Sequence, residues 1–266
     1  MTIKLVATDM DGTFLDDDKN FDQKRFQKIY QYMQDHGIVF VCASGNQFDK
    51  LNSFFPRSKY PETLFVAENG ALIADHQKIF RADTFDQTVV QKALNILENT
   101  ANVKLVLCGT KSAYIRNDVT KDFYELTKLY CPTLETVKSF QDIDDDILKF
   151  SVNCPIDQTE LYMDKLAQAL GSDVSIVSSG HGDIDIVRHD VSKANGLHYL
   201  AKKFAIEPAE MCAFGDGGND LSMLEYVGHS VAMENGTDIV LQTADYHTIN
   251  NNDQGVLKHL EELFEL

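Results

Sequence analysis

At 266 residues the chain is long enough for one large or two medium domains, and its 44% hydrophobic and 24% charged residues are those of a folded globular protein rather than a disordered one. A formal charge of -17 excludes broad electrostatic attraction to nucleic acid or anionic lipid and favours a divalent cation. No apolar run approaches the about 20 residues of a membrane helix, and the N-terminus has no basic segment followed by an apolar signal core, so the expectation is a cytoplasmic protein.

In chain order, Ile3 to Thr8 reads as a buried strand, Phe21 to His36 as a helix stopped by Gly37, and Ile38 to Ala43 as a second strand. A helix from Phe48 to Phe55 ends before Pro56, and Leu64 to Ala67 is a third strand. This is the βαβ grammar of a parallel sheet. The middle reads differently. Helices are expected at Gln87 to Leu97, Lys121 to Tyr130 and Thr159 to Leu170. Strands are expected at Val103 to Leu107, Ser112 to Arg116, Leu148 to Val152, Val174 to Val177 and Asp183 to Val187, the last pair a hairpin across Gly180-His181-Gly182. Asp142 to Asp146 reads as a solvated loop or helix start. The first grammar resumes with a helix at Ser192 to Phe204, a strand at Met211 to Phe214, a helix at Asn219 to Val227, a strand at His229 to Met233 and a helix at Asn252 to Phe264. The expected architecture is α/β, a core of residues 1–83 and 189–266 interrupted by an α/β insertion at 84–188.

The five cysteines (Cys42, Cys108, Cys131, Cys154 and Cys212) are scattered, and most sit among apolar neighbours without metal-site spacing; buried reduced thiols are expected. Without secretion the sequon at Asn235 is silent.

Four segments carry candidate chemistry, each where a strand ends or a helix begins. Asp9-Met10-Asp11-Gly12-Thr13 closes the first strand and places two carboxylates at the edge where open parallel sheets bind ligands. Ala43-Ser44-Gly45-Asn46 enters a helix with a hydroxyl and free backbone N–H groups, which suit a phosphate, although a plain helix cap needs the same residues. Lys193 stands in a first helical turn, where the helix dipole disfavours positive charge; a surface lysine is the alternative. Gly215-Asp216-Gly217-Gly218-Asn219-Asp220 converges two carboxylates and an amide on a tight loop, a hard-oxygen set suited to magnesium.

In this order the four segments resemble the motifs of the haloacid dehalogenase-like (HAD) superfamily, and the insertion resembles the α/β cap of its Cof-type phosphatases. Asp9 to Leu15, Ala43 to Gln47, Ser53 to Pro56, Val66 to Ala71 and Lys193 to Gly196 are most similar to bacterial sugar phosphatases of that group. The resemblance implies a Rossmann-like core with an inserted cap that reads the substrate, and a magnesium-dependent phosphatase of small phosphorylated metabolites, sugar phosphates foremost. FMN and pyridoxal phosphate stay open. It implies Asp9 as nucleophile, Asp11 as general acid and base, and Lys193 as the catalytic cation. Magnesium would be held by Asp9, the Asp11 carbonyl and Asp216, with Asp220 in support. Ser44, Gly45, Lys193 and Asn219 would hold the phosphate. Many relatives carry arginine where Asn46 stands, so any contact from this position to the substrate is expected to be a simple polar one. In the cap, His181 and Asp185 are the candidates for reading the leaving group. Glu68-Asn69-Gly70 reads as a structural turn without chemistry. A phosphotransferase or phosphomutase, or a phosphometabolite-binding protein without turnover, are the rival readings. A monomer is the default, with a homodimer as the alternative.

Overall fold

The architecture is taken from a computed structural model that describes residues 2–180 and 182–266. The chain runs through β1 (Leu5–Thr8), α1 (Gln23–Asp35), β2 (Val39–Ala43), α2 (Phe48–Phe54), β3 (Leu64–Ala67), β4 (Leu72–Ala74) and β5 (Ile79–Ala82). It continues through α3 (Gln87–Leu97), β6 (Lys104–Gly109), β7 (Ala113–Arg116), α4 (Lys121–Tyr130), β8 (Leu134–Val137), β9 (Ile147–Asn153), α5 (Thr159–Leu170), β10 (Val174–Gly180) and β11 (Asp183–Arg188). It then returns as α6 (Lys193–Phe204), β12 (Met211–Gly215), α7 (Leu221–Tyr226), β13 (His229–Met233), α8 (Asp238–Thr243), β14 (Tyr246–Thr248) and α9 (Gly255–Phe264).

Two sheets result. The larger has the order β14-β13-β12-β1-β2-β3-β4-β5, parallel from β14 to β3 and antiparallel at β4 and β5. Its central strands are buried on both faces, which is why they read as continuous apolar runs. On β1, Val6 faces Phe26, Ile29 and Met33 of α1, while Leu5 and Ala7 face Leu197 and Leu200 of α6. α1 forms because Phe26, Ile29, Tyr30 and Met33 fall on one face and the Asp22 carboxylate accepts from the N–H groups of Lys24 and Arg25. The chain goes to one side of β1 for β2 and β3 and returns to the other side for β12, so the carboxyl ends of β1 and β12 border a topological switch point.

The smaller sheet, β10-β11-β9-β6-β7-β8, is antiparallel except for β7 and β8 and lies wholly within the insertion. Leu94 and Leu97 of α3 and Leu166 and Leu170 of α5 pack on one face; Phe123 of α4 packs on the other, against Val106 and Ile115. The five cysteines are free, and all but the half-buried Cys131 are buried. Among the described residues no helix is long and apolar enough to cross a membrane.

Several local expectations are corrected. The helix expected from Asn219 starts as a 3₁₀ turn at Gly218–Asp220 and becomes α-helical only at Leu221, while the last helix starts at Gly255. The Asp142 to Asp146 stretch is not solvated throughout. Asp145 is buried and accepts from the Thr110 hydroxyl (2.7 Å), the Lys111 N–H (2.9 Å) and the Tyr114 hydroxyl (3.0 Å), because the turn after β6 supplies donors a carboxylate can satisfy.

At the opposite strand ends, His229 Nε2 and His259 Nε2 lie 2.9 Å apart, with Tyr246 stacked on His229. Burial, and then the neighbouring His229, push His259 down from 6.5 to about 4. The unfolded chain therefore takes up a proton between these values that the folded chain refuses. Stability is fully present above about pH 6.5 and is lost as pH falls toward 4, by about 1–2 kcal/mol after allowance for partial exposure. His259→Phe is expected to flatten the acid limb of the Tm-against-pH curve. An unaltered limb would place the acid lability elsewhere.

Candidate active site

The site is built at the carboxyl edge of β1, β2 and β12. Asp9 follows β1 directly and is 6% exposed. Lys193, fully buried on the first turn of α6, donates to Asp9 Oδ1 at 2.6 Å and to Asp220 Oδ1 at 2.6 Å. α6 can bring it there because the helix is capped by the Ser192 hydroxyl, which accepts from the Asn195 N–H, and because Gly196 lets the helix lie close on β3. A Cβ at Gly196 would come within 2.4 Å of Val66. The alternative of a surface lysine is thereby excluded.

Asp216, at the end of β12, is held by the Thr13 hydroxyl, which donates to Oδ1 at 2.6 Å. Asp220 has both oxygens engaged, Oδ1 by Lys193 and Oδ2 by the N–H groups of Asp216 and Gly217 (2.9 Å each). Oxygens of Asp9, Asp216 and Asp220 lie within 4.8 Å of one another. Burial is the main reason Asp9 is raised well above the usual carboxylate range, against the pull of Lys193; burial, then Asp220, raises Asp216 to about 7. For Lys193, burial is outweighed by Asp220 and Asp9, and the ammonium stays protonated. Three crowded carboxylates against one buried ammonium, all oxygen donors, fit a hard divalent cation. The geometry makes Asp220 the member already spoken for by protein donors.

Asp11 has partners of its own. Its Oδ1 pairs with Lys19 Nζ at 2.7 Å and its Oδ2 accepts from Asn46 Nδ2 at 2.6 Å. Asn46 thus touches the second aspartate. Ser44, 3% exposed, follows β2, and its Oγ accepts from the Asn46 N–H at 3.2 Å. Asn219 Nδ2 donates to Asn69 Oδ1 at 3.1 Å, and Asn69 Nδ2 donates to Asp185 Oδ2 at 2.7 Å. Asp185, on β11 of the insertion, is therefore buried against the Glu68–Gly70 turn of the core. His181 lies outside the described residues.

Lys19 and Lys149 join the site from outside the motif segments, whereas Thr13 stands in the first motif and Asn69 in the Glu68-Asn69-Gly70 turn, neither with a role expected of it. Lys149 is detectable as a lone cation inside the apolar run Leu148 to Val152, and Asn69 as the centre of an Asn-Gly turn, where it adopts φ +57°. Gly12, at φ +77°, has no room for a side chain: a Cβ would sit 2.5 Å from Asp216 Oδ2. Gly12→Ala is expected to displace Asp216 from Thr13 and to weaken Mg2+ binding about 10–100-fold, read as loss of the Mg2+-induced rise in Tm. An undiminished rise would mean that Asp216 takes no part in holding a cation.

The sequence pattern of the haloacid dehalogenase-like hydrolases matches residues 6–260. Over 269 aligned residues the chain is 38% identical to the 5-amino-6-(5-phospho-D-ribitylamino)uracil phosphatase YbjI of Escherichia coli, covering 100% of this chain and 97% of that one. It is 29% identical to a Bacillus subtilis phosphatase of the same description, YitU, covering 98% of each. The crystal structure of SMU.1108c from Streptococcus mutans superposes with a TM-score of 0.95 at 29% identity over the full length of both chains. The chain belongs to the haloacid dehalogenase-like hydrolase family.

Proposed function

We propose that this protein is a magnesium-dependent phosphatase of small phosphorylated metabolites that works through an aspartyl-phosphate on Asp9. The observation that carries the reading is the Asp9 carboxylate held at 2.6 Å by the fully buried Lys193, inside a cluster of three aspartates at the edge of β1.

In this reading an Asp9 oxygen attacks phosphorus, the P–O bond to the alcohol breaks, and Asp11 gives its proton to the departing oxygen. Asp11 then takes a proton from water, whose oxygen attacks phosphorus and frees Asp9. Before the first of these transfers Lys19, whose side chain is 40% exposed, gives way on Asp11 as the substrate enters, and Asp11 takes up from water the proton it then passes to the leaving group. The Ser44 hydroxyl, the Gly45 N–H, Lys193 and Asn219 bind the phosphoryl oxygens and supply the electrostatic stabilisation that dominates phosphoryl transfer. Magnesium on Asp9, Asp216 and the Asp11 carbonyl supplies further neutralisation of phosphoryl charge when bound. The local positive charge answers the difficulty that a chain of net charge -17 poses for an anionic substrate.

For the substrate, the expectation of sugar phosphates is widened by the names of the relatives. The ester named for the Escherichia coli and Bacillus subtilis proteins carries its phosphate on a ribityl chain. We take the class to be sugar and polyol phosphates, with 5-amino-6-(5-phospho-D-ribitylamino)uracil the first compound to test. The experiment is inorganic phosphate release from that compound, a sugar-phosphate panel, FMN and pyridoxal phosphate, with Mg2+ or EDTA. Release that requires Mg2+ and favours a polyol or sugar ester is expected. Transfer of phosphate to an added sugar without free phosphate, or no turnover at all, overturns the reading.

A further inference from the structure

The turn proposed to bind phosphate has three consecutive carbonyls, each held by a different donor. Ser44 O accepts from the Asn69 N–H (3.0 Å) and Asn46 O from the Glu68 N–H (3.2 Å), both within the core. The middle one, Gly45 O, accepts from Lys149 Nζ at 2.5 Å, and Lys149 belongs to β9 of the inserted sheet. Its ammonium is 3.2 Å from Asp185 Oδ2 on the insertion and 3.0 Å from Glu68 Oε2 on the core, and all three side chains are at most 7% exposed. Burial disfavours the charge on Lys149, but Asp185 and Glu68 outweigh it and keep the amine protonated.

A trans peptide is planar, so fixing the Gly45 carbonyl also fixes the Asn46 N–H on its opposite side. That N–H donates to Ser44 Oγ. A hydroxyl that accepts there keeps its own proton free to donate elsewhere, toward the phosphate.

We propose that Lys149 is a positioning residue through which docking of the inserted domain orients the Ser44 hydroxyl for phosphate: from Lys149 to the Gly45 carbonyl, through the peptide to the Asn46 N–H, and on to Ser44 Oγ. The inference rests on the phosphatase reading above and adds a coupling between the two domains. Asp185 and Glu68 hold the ammonium in place, and the Gln47 side chain, which exchanges two 3.0 Å hydrogen bonds with the Thr133 backbone, docks the insertion at a second point. An undocked insertion takes Lys149 away from the turn.

The test is a double-mutant cycle on the full chain. Lys149→Met alone leaves two buried carboxylates, Asp185 and Glu68, without their cation, so Lys149→Met/Asp185→Asn, which leaves only Glu68, is made beside it to lessen the cost to folding. Both are expected to raise KM for the phosphoester and the Kd for inorganic phosphate about tenfold, with the Mg2+-induced Tm rise unchanged. In a Ser44→Ala background the same substitutions are expected to have less than a twofold effect, because the hydroxyl they act on is gone. Lys149→Arg is expected to restore part of the affinity. Hydrogen exchange at peptides spanning residues 44–46 is expected to speed up in Lys149→Met/Asp185→Asn while strand β1 is unaffected. A tenfold effect that persists in Ser44→Ala, wild-type affinity in the double variant, or unaltered exchange at residues 44–46 overturns the proposal. If the wild type neither hydrolyses esters nor binds phosphate, the phosphatase reading fails, and the exchange measurement still decides whether Lys149 orders the turn.

Discussion

Asp9→Asn is expected to lower phosphate release on the order of 10⁴-fold or more while leaving the fold intact. The amide has nearly the size of the carboxylate but no anionic oxygen with which to attack phosphorus. The fold is expected to tolerate the change because Lys193 keeps its 2.6 Å bond to Asp220 and one of three crowded carboxylates is neutralised. Paired measurements of phosphate release and Tm check both halves. Activity within tenfold of wild type would remove Asp9 as the nucleophile, whereas a collapsed Tm would mean that its charge, not its chemistry, is what the structure needs.

Lys193→Met is expected to be damaging in both respects. It strips away the ammonium bonded to both Asp9 and Asp220, which are 6% and 0% exposed, and breaking a buried pair costs about 3–5 kcal/mol because the remaining charges have no partner. Turnover is expected to fall about 10³-fold, as when a single stabilising donor is removed from a transition state. The pH dependence distinguishes charge from packing. A carboxyl raised in the folded state, as Asp216 is to about 7, binds a proton that the unfolded chain has already released above about pH 4. Folding is therefore favoured as pH falls through that window and disfavoured as pH rises through 7. The Tm deficit of Lys193→Met, measured without metal, is expected to be larger at pH 8 than at pH 5.5, and added Mg2+ is expected to recover part of it. A deficit independent of pH and Mg2+ would assign the loss to packing alone.

Local periodicity makes the longer elements of this chain legible in its sequence. α3, α4 and α5 occur at the expected residues because each is a run of ten to twelve with an apolar face. Short elements are not legible in this way: β4 and β14 have three residues each, β5 is partly exposed, and α8 spans Asp238–Thr243, too few residues for a period to show. Asp145 differs from its expected solvation because a carboxylate in an acidic run looks solvated until its donors, 31 to 35 residues away, are placed around it.

The motifs of the candidate site are legible because the chemistry confines Asp9, Asp11, Ser44, Lys193 and Asp216 to strand ends and helix starts, which are local features. Their joining is not. Thr13 and Asp216 are 203 residues apart, and Lys193 and Asp9 are 184 apart. Only the parallel pairing of β1 with β12, and the close seat of α6 on β3, brings them within hydrogen-bond distance. The same holds for Lys149, which the sequence presents as an oddity in an apolar strand and the folded chain places against Gly45. The sequence by itself determined the βαβ core, the insertion and the residue types able to handle phosphate, since these follow from short-range periodicity and motif chemistry. The tertiary structure alone decided which carboxylates crowd together, which lysine is buried between them, and how the insertion reaches the Ser44–Asn46 turn, because burial and charge pairing depend on neighbours that no local stretch of sequence contains.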